Sequence, residues 1–537
     1  MLTRPHSKSA SIFDMVLLFL LFILSFGYFL YGYQDFDLGR YHYDEAISIY
    51  GATRVLDGCI PYRDFWTLYA PGQFYTIAAI FKIFGISTQV ARLFAITVLC
   101  LTVCGVFLLI KKFCLKIFAI LAFLLSLFWL KYYLVYNRPG QLAMLFFISC
   151  CFPIISFIKS GSRKSLACAG ALIGIIYFFR QDFGFYILAA CSLVVFLRQM
   201  NHSETYLRDK VKSALKTKAF LFLGFFTVFL PLIMYFIAKS SFKEFTKDTI
   251  IFPVIIYPKV RDLPFPELKL DTLVFYFPVL IFLITCIRLL FFNWKDKITS
   301  DFPWFIMFLL FSGLGLFHYS NTRVHTGQFL PTTILAIILF ILLLNDFLSK
   351  KLIIIRLLGN IFLASLFVVL HIYFCKSMKS TSAKLKYLSD NQDKSRLDVS
   401  RAYGFYDGSE LAQSQIQAIK FIQSRTTKDE KIFVGNVRHD RVVNSDVMFY
   451  FLSERDSATK YYELHPGVTT TRETQAEIID ELNKAKVRYI ILWSGSDDVK
   501  EPNESAKSSE VKDLDDFIQK NYKIEEIFGY YKIFKHT

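Results

Sequence analysis

The sequence lacks the cysteine patterns that metal-binding and disulfide-rich proteins share. Only 10 cysteines occur in 537 residues, and none belongs to a Cys-x-x-Cys pair or to a Cys/His cluster with zinc spacing. Most lie inside apolar runs, where a free cysteine packs as a small hydrophobic side chain. The residues therefore predict no cofactor, and they leave a divalent metal open because no set of ligands stands out.

Two further features are missing. The first apolar segment, residues 15–33, is not followed by a small-residue cleavage site, which favours a retained helix over a signal peptide. The chain also contains no internal repeat, whereas many secondary transporters are built from related halves. The missing repeat is an argument against such a transporter.

Long apolar runs dominate the composition. The chain is 54% hydrophobic and 18% aromatic, with a mean hydropathy of +0.42, which is rare in a soluble globular protein. By length and apolar character we predict about eleven membrane-spanning helices. They are residues 15–33, 88–110, 114–131, 140–158, 165–180, 183–198, 219–238, 272–291, 302–318, 328–345 and 352–374.

The positive charge follows the loops. A formal net charge of +17 would suggest a nucleic acid partner in a soluble protein, but here Lys and Arg concentrate in alternate short loops, where they set topology. We therefore expect no nucleic acid partner. Arg4 and Lys8 place the N-terminus in the cytoplasm, and an odd number of spans places the chain after about Lys376 outside. The basic loop 239–271, which lies outside in this scheme, is the exception.

The chain divides into a membrane domain (1–375), a linker (376–407) and an α/β domain (408–537). In the last domain, "SELAQSQIQAIKFIQS" and "TQAEIIDELNKAK" have helical spacing, while "KIFVGN", "KYYEL" and "VRYIILW" resemble strands. The C-terminal segment predicts a helix followed by a hairpin. This alternation indicates a small α/β domain.

The first outer loop, residues 34–87, differs from the other loops in its length and aromatic content. "EAISIYGATRVLDG" predicts a helix that ends at Gly58. "GQFYTIAAIFKIFG" is apolar but too short to span a membrane. We expect both segments to form helices that lie along the membrane surface.

Four polar clusters fall on the predicted outer face. The adjacent pair Asp44 and Glu45 could supply a general base, or it could be a solvated helix N-terminus favoured by the helix dipole. Arginine binds phosphate oxygens well, although each basic cluster could equally be an ordinary loop. The other residues of interest are Arg63 and Asp64; Arg180, Gln181 and Asp182; and His318, Arg323 and His325, with Asn137 and Arg138 on the same face. Together they predict a polar cavity suited to an anionic, lipid-linked donor.

The stretch "YHYDEAISIYGATRVLDGCIPYRDFWTLYAPGQFYTIAAIFKIFG", followed by "VARLFAITVLCLTVCGVFLLIKK", resembles the start of the GT-C membrane glycosyltransferases. The most similar branch contains the protein O-mannosyltransferases and the lipid A aminoarabinose transferase. The resemblance implies a GT-C fold and a polyprenyl-phosphate sugar donor. It also implies inversion at the anomeric carbon, with Asp44 and Glu45 as the catalytic acid pair and Asp44 as the base.

Two departures from the family pattern concern the site. Tyr69 and Ala70 stand where some relatives have an acid and a lysine, so the phosphate contact would come from Arg138, Arg180 or Arg323, with His318 and His325 nearby. Asn137 and Arg138 replace an acid of the next outer loop. The second acidic role then falls to Asp64 or Asp182.

We therefore predict a polytopic α-helical membrane glycosyltransferase in a bacterial inner membrane. Its partners would be a polyprenyl-phosphate sugar, membrane lipids and an acceptor that is a protein, a lipid or a polysaccharide. The alternatives are a transporter or lipid flippase for an envelope precursor, and a non-catalytic scaffold. A transporter would place charged or broken helices near the bilayer midplane, whereas the polar clusters found here sit at the ends of the predicted spans.

Overall fold

The structure, a computed structural model, describes residues 8–31, 33, 42–132, 139–201, 206–239, 241–291, 301–348 and 396–537, together with 379, 382, 383, 386 and 390. The first part of the chain is helical. Its α-helices are α1 (Lys8–Leu30), α2 (His42–Leu56), α3 (Gly72–Phe84), α4 (Thr88–Lys111), α5 (Lys116–Tyr132), α6 (Pro139–Ser160), α7 (Arg163–Phe179), α8 (Gln181–Met200), α9 (Leu207–Ala238), α10 (Phe242–Thr246), α11 (Tyr257–Val260), α12 (Leu273–Leu290), α13 (Phe302–Asn321) and α14 (Thr326–Leu348). A π-helix (Lys247–Ile256) joins α10 to α11, and a 3₁₀ turn (Leu270–Thr272) precedes α12.

Ten of the predicted spans correspond to helices in this part of the chain. Within the described residues, 8 helices are long and apolar enough to cross a membrane, namely α1, α4, α6, α8, α9, α12, α13 and α14. The helices α5 and α7 are shorter, with 17 residues each. The predicted span at 352–374 lies outside the described residues. The protein is therefore a polytopic helical membrane protein.

Small residues allow α7 and α9 to approach closely. A Cβ atom on Gly170 of α7 would lie 2.0 Å from the carbonyl oxygen of Leu221, and one on Gly224 of α9 would lie 1.9 Å from the carbonyl oxygen of Ala167. Backbone-to-backbone packing of this kind is how small residues hold helices together in a membrane. It fixes α7, and with it the α7–α8 turn that carries Arg180.

Both helices predicted in the first loop are present. The first, α2, ends at Leu56, and the chain turns at Gly58 with a φ angle of +87°. The second, α3, leaves Ile83 and Phe84 exposed. Residues 45–53 of α2, however, are all buried, so α2 does not lie on a surface. Its small residues permit this enclosure, because Gly51 packs against the rings of Phe74 and Tyr462.

The C-terminal α/β domain contains a four-stranded sheet in the order β1–β2–β4–β3. Strand β2 pairs in parallel with β1 and antiparallel with β4, and β3 and β4 form the predicted terminal hairpin. The predicted strand "KYYEL" is instead part of an irregular segment. The elements are α15 (Glu410–Arg425), β1 (Phe433–Asn436), α16 (Met448–Ser453), α17 (Arg472–Lys484), β2 (Tyr489–Trp493), α18 (Asp513–Asn521), β3 (Tyr522–Phe528) and β4 (Tyr531–His536), with 3₁₀ turns at Ser400–Ala402 and Glu504–Ala506.

The α/β domain and the first loop share one hydrophobic core. The backbone N–H of Ser457 donates to the hydroxyl of Tyr50 on α2 at 2.7 Å, and the Tyr50 ring stacks on Tyr450 with centroids 5.2 Å apart. The backbone N–H of Trp66 donates to the carbonyl of Lys460 at 2.9 Å. These contacts hold the irregular segment that includes residues 461–470 over the beginning of α2, which is where the candidate site lies.

Candidate active site

Asp44 lies in the first turn of α2 and is only partly buried. The hydroxyl of Tyr69 donates a hydrogen bond to its Oδ1 at 2.7 Å. Burial, and after it the charge of Asp44, holds the pKa of Tyr69 well above its ordinary value. The phenol therefore stays protonated and orients the Asp44 carboxylate. In the sequence, Tyr69 was notable only as a departure from the family pattern. In the structure it is a direct hydrogen-bond partner of Asp44, the candidate base.

Glu45 has a different environment from its neighbour. Its side chain is 0% exposed and forms a two-pronged ion pair with Arg92, at 3.1 Å from Nε and 3.0 Å from Nη2. Nη1 of Arg92 also donates to the carbonyl of Tyr33 at 2.8 Å. Successive residues of a helix point in different directions, so the two acids separate. Of the pair, the placement favours Asp44 as the residue that meets a substrate.

Arg180 is held by Asp182 at the turn between α7 and α8. Its Nε and Nη2 donate to the two carboxylate oxygens at 3.0 and 2.5 Å, and its guanidinium lies 4.6 Å from the ring centroid of Tyr319. The neighbouring Gln181 donates to the carbonyls of Leu68 and Thr249. This turn is therefore attached to the same loop that carries Tyr69.

Arg323 lies between α13 and α14 and contacts the α/β domain. Its Nη1 and Nη2 donate to Oε2 and Oε1 of Glu501 at 2.8 and 2.6 Å. Burial lowers the pKa of Arg323, but the Glu501 hydrogen bond and the charges of Tyr257, Glu501 and Asp44 together outweigh burial and raise the pKa above its ordinary value. Arg323 and Asp44 thus share one electrostatic environment.

Arg261 is a second arginine beside Glu501, and it was not among the residues predicted from the sequence. Its Nη1 lies 3.2 Å from Oε2 of Glu501 and donates to the carbonyl of Val443 at 3.0 Å. Its own carbonyl accepts a 2.8 Å hydrogen bond from Arg323. A single Arg in the basic loop 239–271 carries no local signal, because its partners come from distant segments.

Glu463 of the α/β domain lies close to the beginning of α2. The hydroxyl of Tyr43, which is 420 residues away along the chain, donates to its Oε1 at 3.1 Å. Oε2 has no hydrogen-bond partner within the described part of the chain. Burial, and to a smaller extent the charge of Asp44, raises the pKa of Glu463 to about 8. The site therefore contains a second carboxyl group that sequence reasoning missed, because "KYYEL" was taken for a strand.

His465 follows in the same segment and is fully enclosed. Burial, together with the charge of Arg261, lowers its pKa to about 3, so the ring is neutral. Nδ1 lies 2.8 Å from the carbonyl oxygen of Pro466, and the ring lies beside Trp66 with centroids 5.6 Å apart. Burial is the main cause of the low pKa, and the charges of Arg261 and Arg323 lower it further.

The remaining predicted residues occupy other positions. Asp64 pairs with Arg63 at 2.8 Å and accepts the backbone N–H of Ile60 at 2.7 Å, and the Arg63 hydrogen bond lowers its pKa. These contacts give Asp64 a role in the turn. His318 is exposed beside Tyr186.

His325 and Arg138 complete the predicted set. Nδ1 of His325 accepts the backbone N–H of Gly327 at 3.1 Å, at the beginning of α14. Arg138 lies outside the described residues. Within the residues that the structure does describe, no group of three or more His, Cys, Asp or Glu side chains is arranged to hold a metal ion.

Known proteins resemble the chain in part of its sequence and in its fold. Residues 69–235, about a third of the chain, match the family described as dolichyl-phosphate-mannose-protein mannosyltransferase. The crystal structure of ArnT from Cupriavidus metallidurans superimposes with a TM-score of 0.52 over 98% of both chains, at 12% identity. The oligosaccharyltransferase of Archaeoglobus fulgidus superimposes with a TM-score of 0.52 over 91% of this chain and 70% of that chain, at 13% identity. No curated protein sequence matches the chain significantly.

Proposed function

We propose that the chain is a membrane glycosyltransferase of the GT-C superfamily, in the branch of the protein mannosyltransferases and ArnT, and that it transfers a sugar from a polyprenyl-phosphate carrier to an acceptor hydroxyl. The family match over residues 69–235 and the fold similarity to ArnT and the oligosaccharyltransferase support this proposal. The fold similarity alone would not identify a reaction. The proposal depends on the site at the beginning of α2.

The observation that carries the proposal is the arrangement around Asp44. A carboxylate oriented by Tyr69 lies in one electrostatic environment with Arg323, beneath the α/β domain. A carboxylate beside a cation suits a displacement in which the acceptor oxygen attacks the anomeric carbon. Asp44 takes the proton of the acceptor hydroxyl. The carbon–oxygen bond to the phosphate breaks, and the polyprenyl phosphate leaves with the electron pair on its oxygen.

An arginine stabilises the charge that develops on the leaving phosphate. Of the predicted arginines, Arg323 is favoured because its charge interacts with that of Asp44. Arg180 is the second candidate, because its charge interacts with Tyr69, the hydrogen-bond partner of Asp44. The acceptor oxygen attacks the anomeric carbon from the face opposite the leaving phosphate, so the configuration of that carbon is inverted.

Three residues are candidates for the second acidic side chain that the family pattern places at the site. Asp182 is paired with Arg180, and Asp64 is paired with Arg63. Glu463 joins them because the charge of Asp44 helps to keep its carboxyl group protonated and its Oε2 has no partner among the described residues. A neutral carboxylic acid at this place can both donate to and accept from a sugar hydroxyl.

We further propose that the site faces the outside of a bacterial inner membrane, with the N-terminus in the cytoplasm. The positive charge of alternate loops supports this orientation. The acceptor is a protein, a lipid or a polysaccharide. A transporter would instead place charged groups at interruptions of its spanning helices, whereas Arg180 and Arg323 lie in connections between helices.

The proposal is tested by replacing Asp44 in the full-length protein. Wild type, Asp44→Asn and Asp57→Asn are placed in lipid nanodiscs with a panel of radiolabelled polyprenyl-phosphate sugars, and release of the lipid phosphate is followed with membrane extract as acceptor. Asp57 is a matched control because it is exposed just beyond the other end of α2. We expect Asp44→Asn to lose about 10²- to 10⁴-fold in rate and Asp57→Asn to retain the wild-type rate.

Two outcomes contradict the proposal. If Asp44→Asn retains full activity, Asp44 is not the base. If wild type releases lipid phosphate from no member of the panel but uses nucleotide sugars, the donor class is wrong. Comparison of the thermal unfolding temperatures of the three proteins excludes a loss caused by misfolding.

A further inference from the structure

Two arginines from separate connections of the membrane domain converge on one carboxylate of the α/β domain. Arg261 follows α11, Arg323 precedes α14, and Glu501 belongs to the segment between β2 and the 3₁₀ turn Glu504–Ala506. Glu501 lies 2.6 Å from Nη2 of Arg323 and 3.2 Å from Nη1 of Arg261. The three side chains are only 11, 8 and 14% exposed, in the order Arg323, Arg261 and Glu501.

This carboxylate occupies the arginines as a phosphate would. Both of its oxygens accept hydrogen bonds from Arg323, which is the two-pronged geometry that arginine also offers to phosphate. Burial raises the pKa of Glu501, but the Arg323 hydrogen bond and the charge of Arg261 lower it to about 2. Glu501 is therefore an anion with a single negative charge, the same charge that a polyprenyl-phosphate sugar carries on its phosphodiester.

The position of the two arginines suits a donor phosphate. The charge of Asp44 acts on Arg323, and the charges of Asp44 and Arg261 both act on Glu463. The two arginines thus interact electrostatically with the groups around the proposed base, and they are anchored in separate connections. Exchange of the Glu501 carboxylate for a phosphodiester conserves the net charge of the site, so neither arginine would be left buried and unpaired, which is costly.

We propose that Arg261 and Arg323 form the binding site for the phosphate of the lipid-linked donor, and that Glu501 occupies this site in the ligand-free protein and leaves it when the donor binds. This inference rests on the proposed function. It has a structural consequence, because Glu501 also accepts a 2.9 Å hydrogen bond from Asn503, which in turn donates to the carbonyl of Asp262 at 2.8 Å. Release of Glu501 therefore removes the ion pairs that attach residues 497–507 to the membrane domain and leaves the Asn503 hydrogen bond to Asp262 as a weaker attachment, so this segment loosens as the donor enters.

The competing explanation is a purely structural ion pair between the two domains. In that case Glu501 and the phosphate would bind at different places, and removing the carboxylate would not improve phosphate binding. If Glu501 competes with the phosphate, removing the carboxylate should improve phosphate binding. The reason is that the apparent affinity is the intrinsic affinity multiplied by the fraction of molecules in which the site is open.

The test needs no knowledge of the sugar, because polyprenyl phosphate is the leaving group of every donor in the class. Its binding to the full-length protein in nanodiscs is measured for wild type, Glu501→Gln and Glu504→Gln. Glu504 is a matched control from the same segment, since it is exposed and pairs with Lys507. We expect Glu501→Gln to bind about 10-fold more tightly than wild type and Glu504→Gln to bind as wild type does.

A second measurement uses wild type alone and so does not depend on how the variants fold. Hydrogen exchange of residues 497–507 should become faster when polyprenyl phosphate is added. If the lipid phosphate binds while this segment keeps its protection, or if Glu501→Gln binds no more tightly than wild type, the inference is overturned and the proposed function stands. If wild type does not bind polyprenyl phosphate at all, both are overturned.

Discussion

Replacing the buried carboxyl of Glu463 by an amide should change how the stability of the protein depends on pH. The pKa of Glu463 is raised from 4.5 to about 8, mainly by burial. Between these two values the folded protein holds a proton that the unfolded chain has released. Stability therefore falls as the pH rises through this window, by about 1.4 kcal/mol per pH unit. The loss is complete above the folded-state pKa.

Summed over the window from 4.5 to about 8, this loss is on the order of 5 kcal/mol. The Glu463→Gln variant has no such dependence, because an amide does not titrate, while its carbonyl can still accept the hydrogen bond from Tyr43. The variant should therefore match wild type near pH 5 and be more stable than wild type near pH 8.

The assay is the thermal unfolding temperature of the nanodisc-embedded protein at intervals between about pH 5 and pH 9. Glu473→Gln, an exposed change at the beginning of α17, is the control and should run parallel to wild type. If the Glu463→Gln curve also runs parallel to wild type, Glu463 is ionised in the folded state across this range, and the reasoning from its burial is refuted.

Two further predictions concern the buried ion pair and the topology. Glu45→Gln leaves Arg92 without its buried counter-ion and should cost about 3–5 kcal/mol of stability; an unfolding temperature equal to that of wild type would show that the pair is not buried as described. An epitope tag at Thr537 should react with antibody on intact spheroplasts, and reaction only after permeabilisation would reverse the proposed orientation.

Hydropathy and local helix-ending residues such as glycine were sufficient to predict most helices. Each described run with the length and composition of a span forms a helix, because apolar length alone determines what can cross a bilayer. The end of α2 before Gly58 and the terminal hairpin were likewise readable from local residues. What local patterns did not reveal was the burial of α2, which depends on the distant residues of the α/β domain that cover it.

The candidate site was only partly predictable for the same reason. Arg180 interacts with Tyr69, the hydrogen-bond partner of Asp44, and Arg323 interacts with Asp44 itself; that these residues act as one site stays a prediction. The family resemblance implied Asp44 as the base, but the residues alone could not separate Asp44 from Glu45, because their different environments depend on a partner, Arg92, in another helix.

Glu463 and Glu501 had no local signal either. They belong to irregular segments of the α/β domain, and their significance comes only from the tertiary partners that they meet. Such residues can be recognised as candidates for the site only from the structure, which shows their contacts with the membrane domain. The site is therefore a product of both domains, although its first element is the Asp-Glu pair at the beginning of α2.

The most direct test of this account is a cryo-electron microscopy map of the full-length protein with polyprenyl phosphate bound. We expect phosphate density within about 3 Å of the Arg323 guanidinium, on the side of the site that faces Asp44, with the lipid chain between the spanning helices. Phosphate density on the opposite face of the membrane domain, or at the middle of the helix bundle away from Asp44, would contradict it.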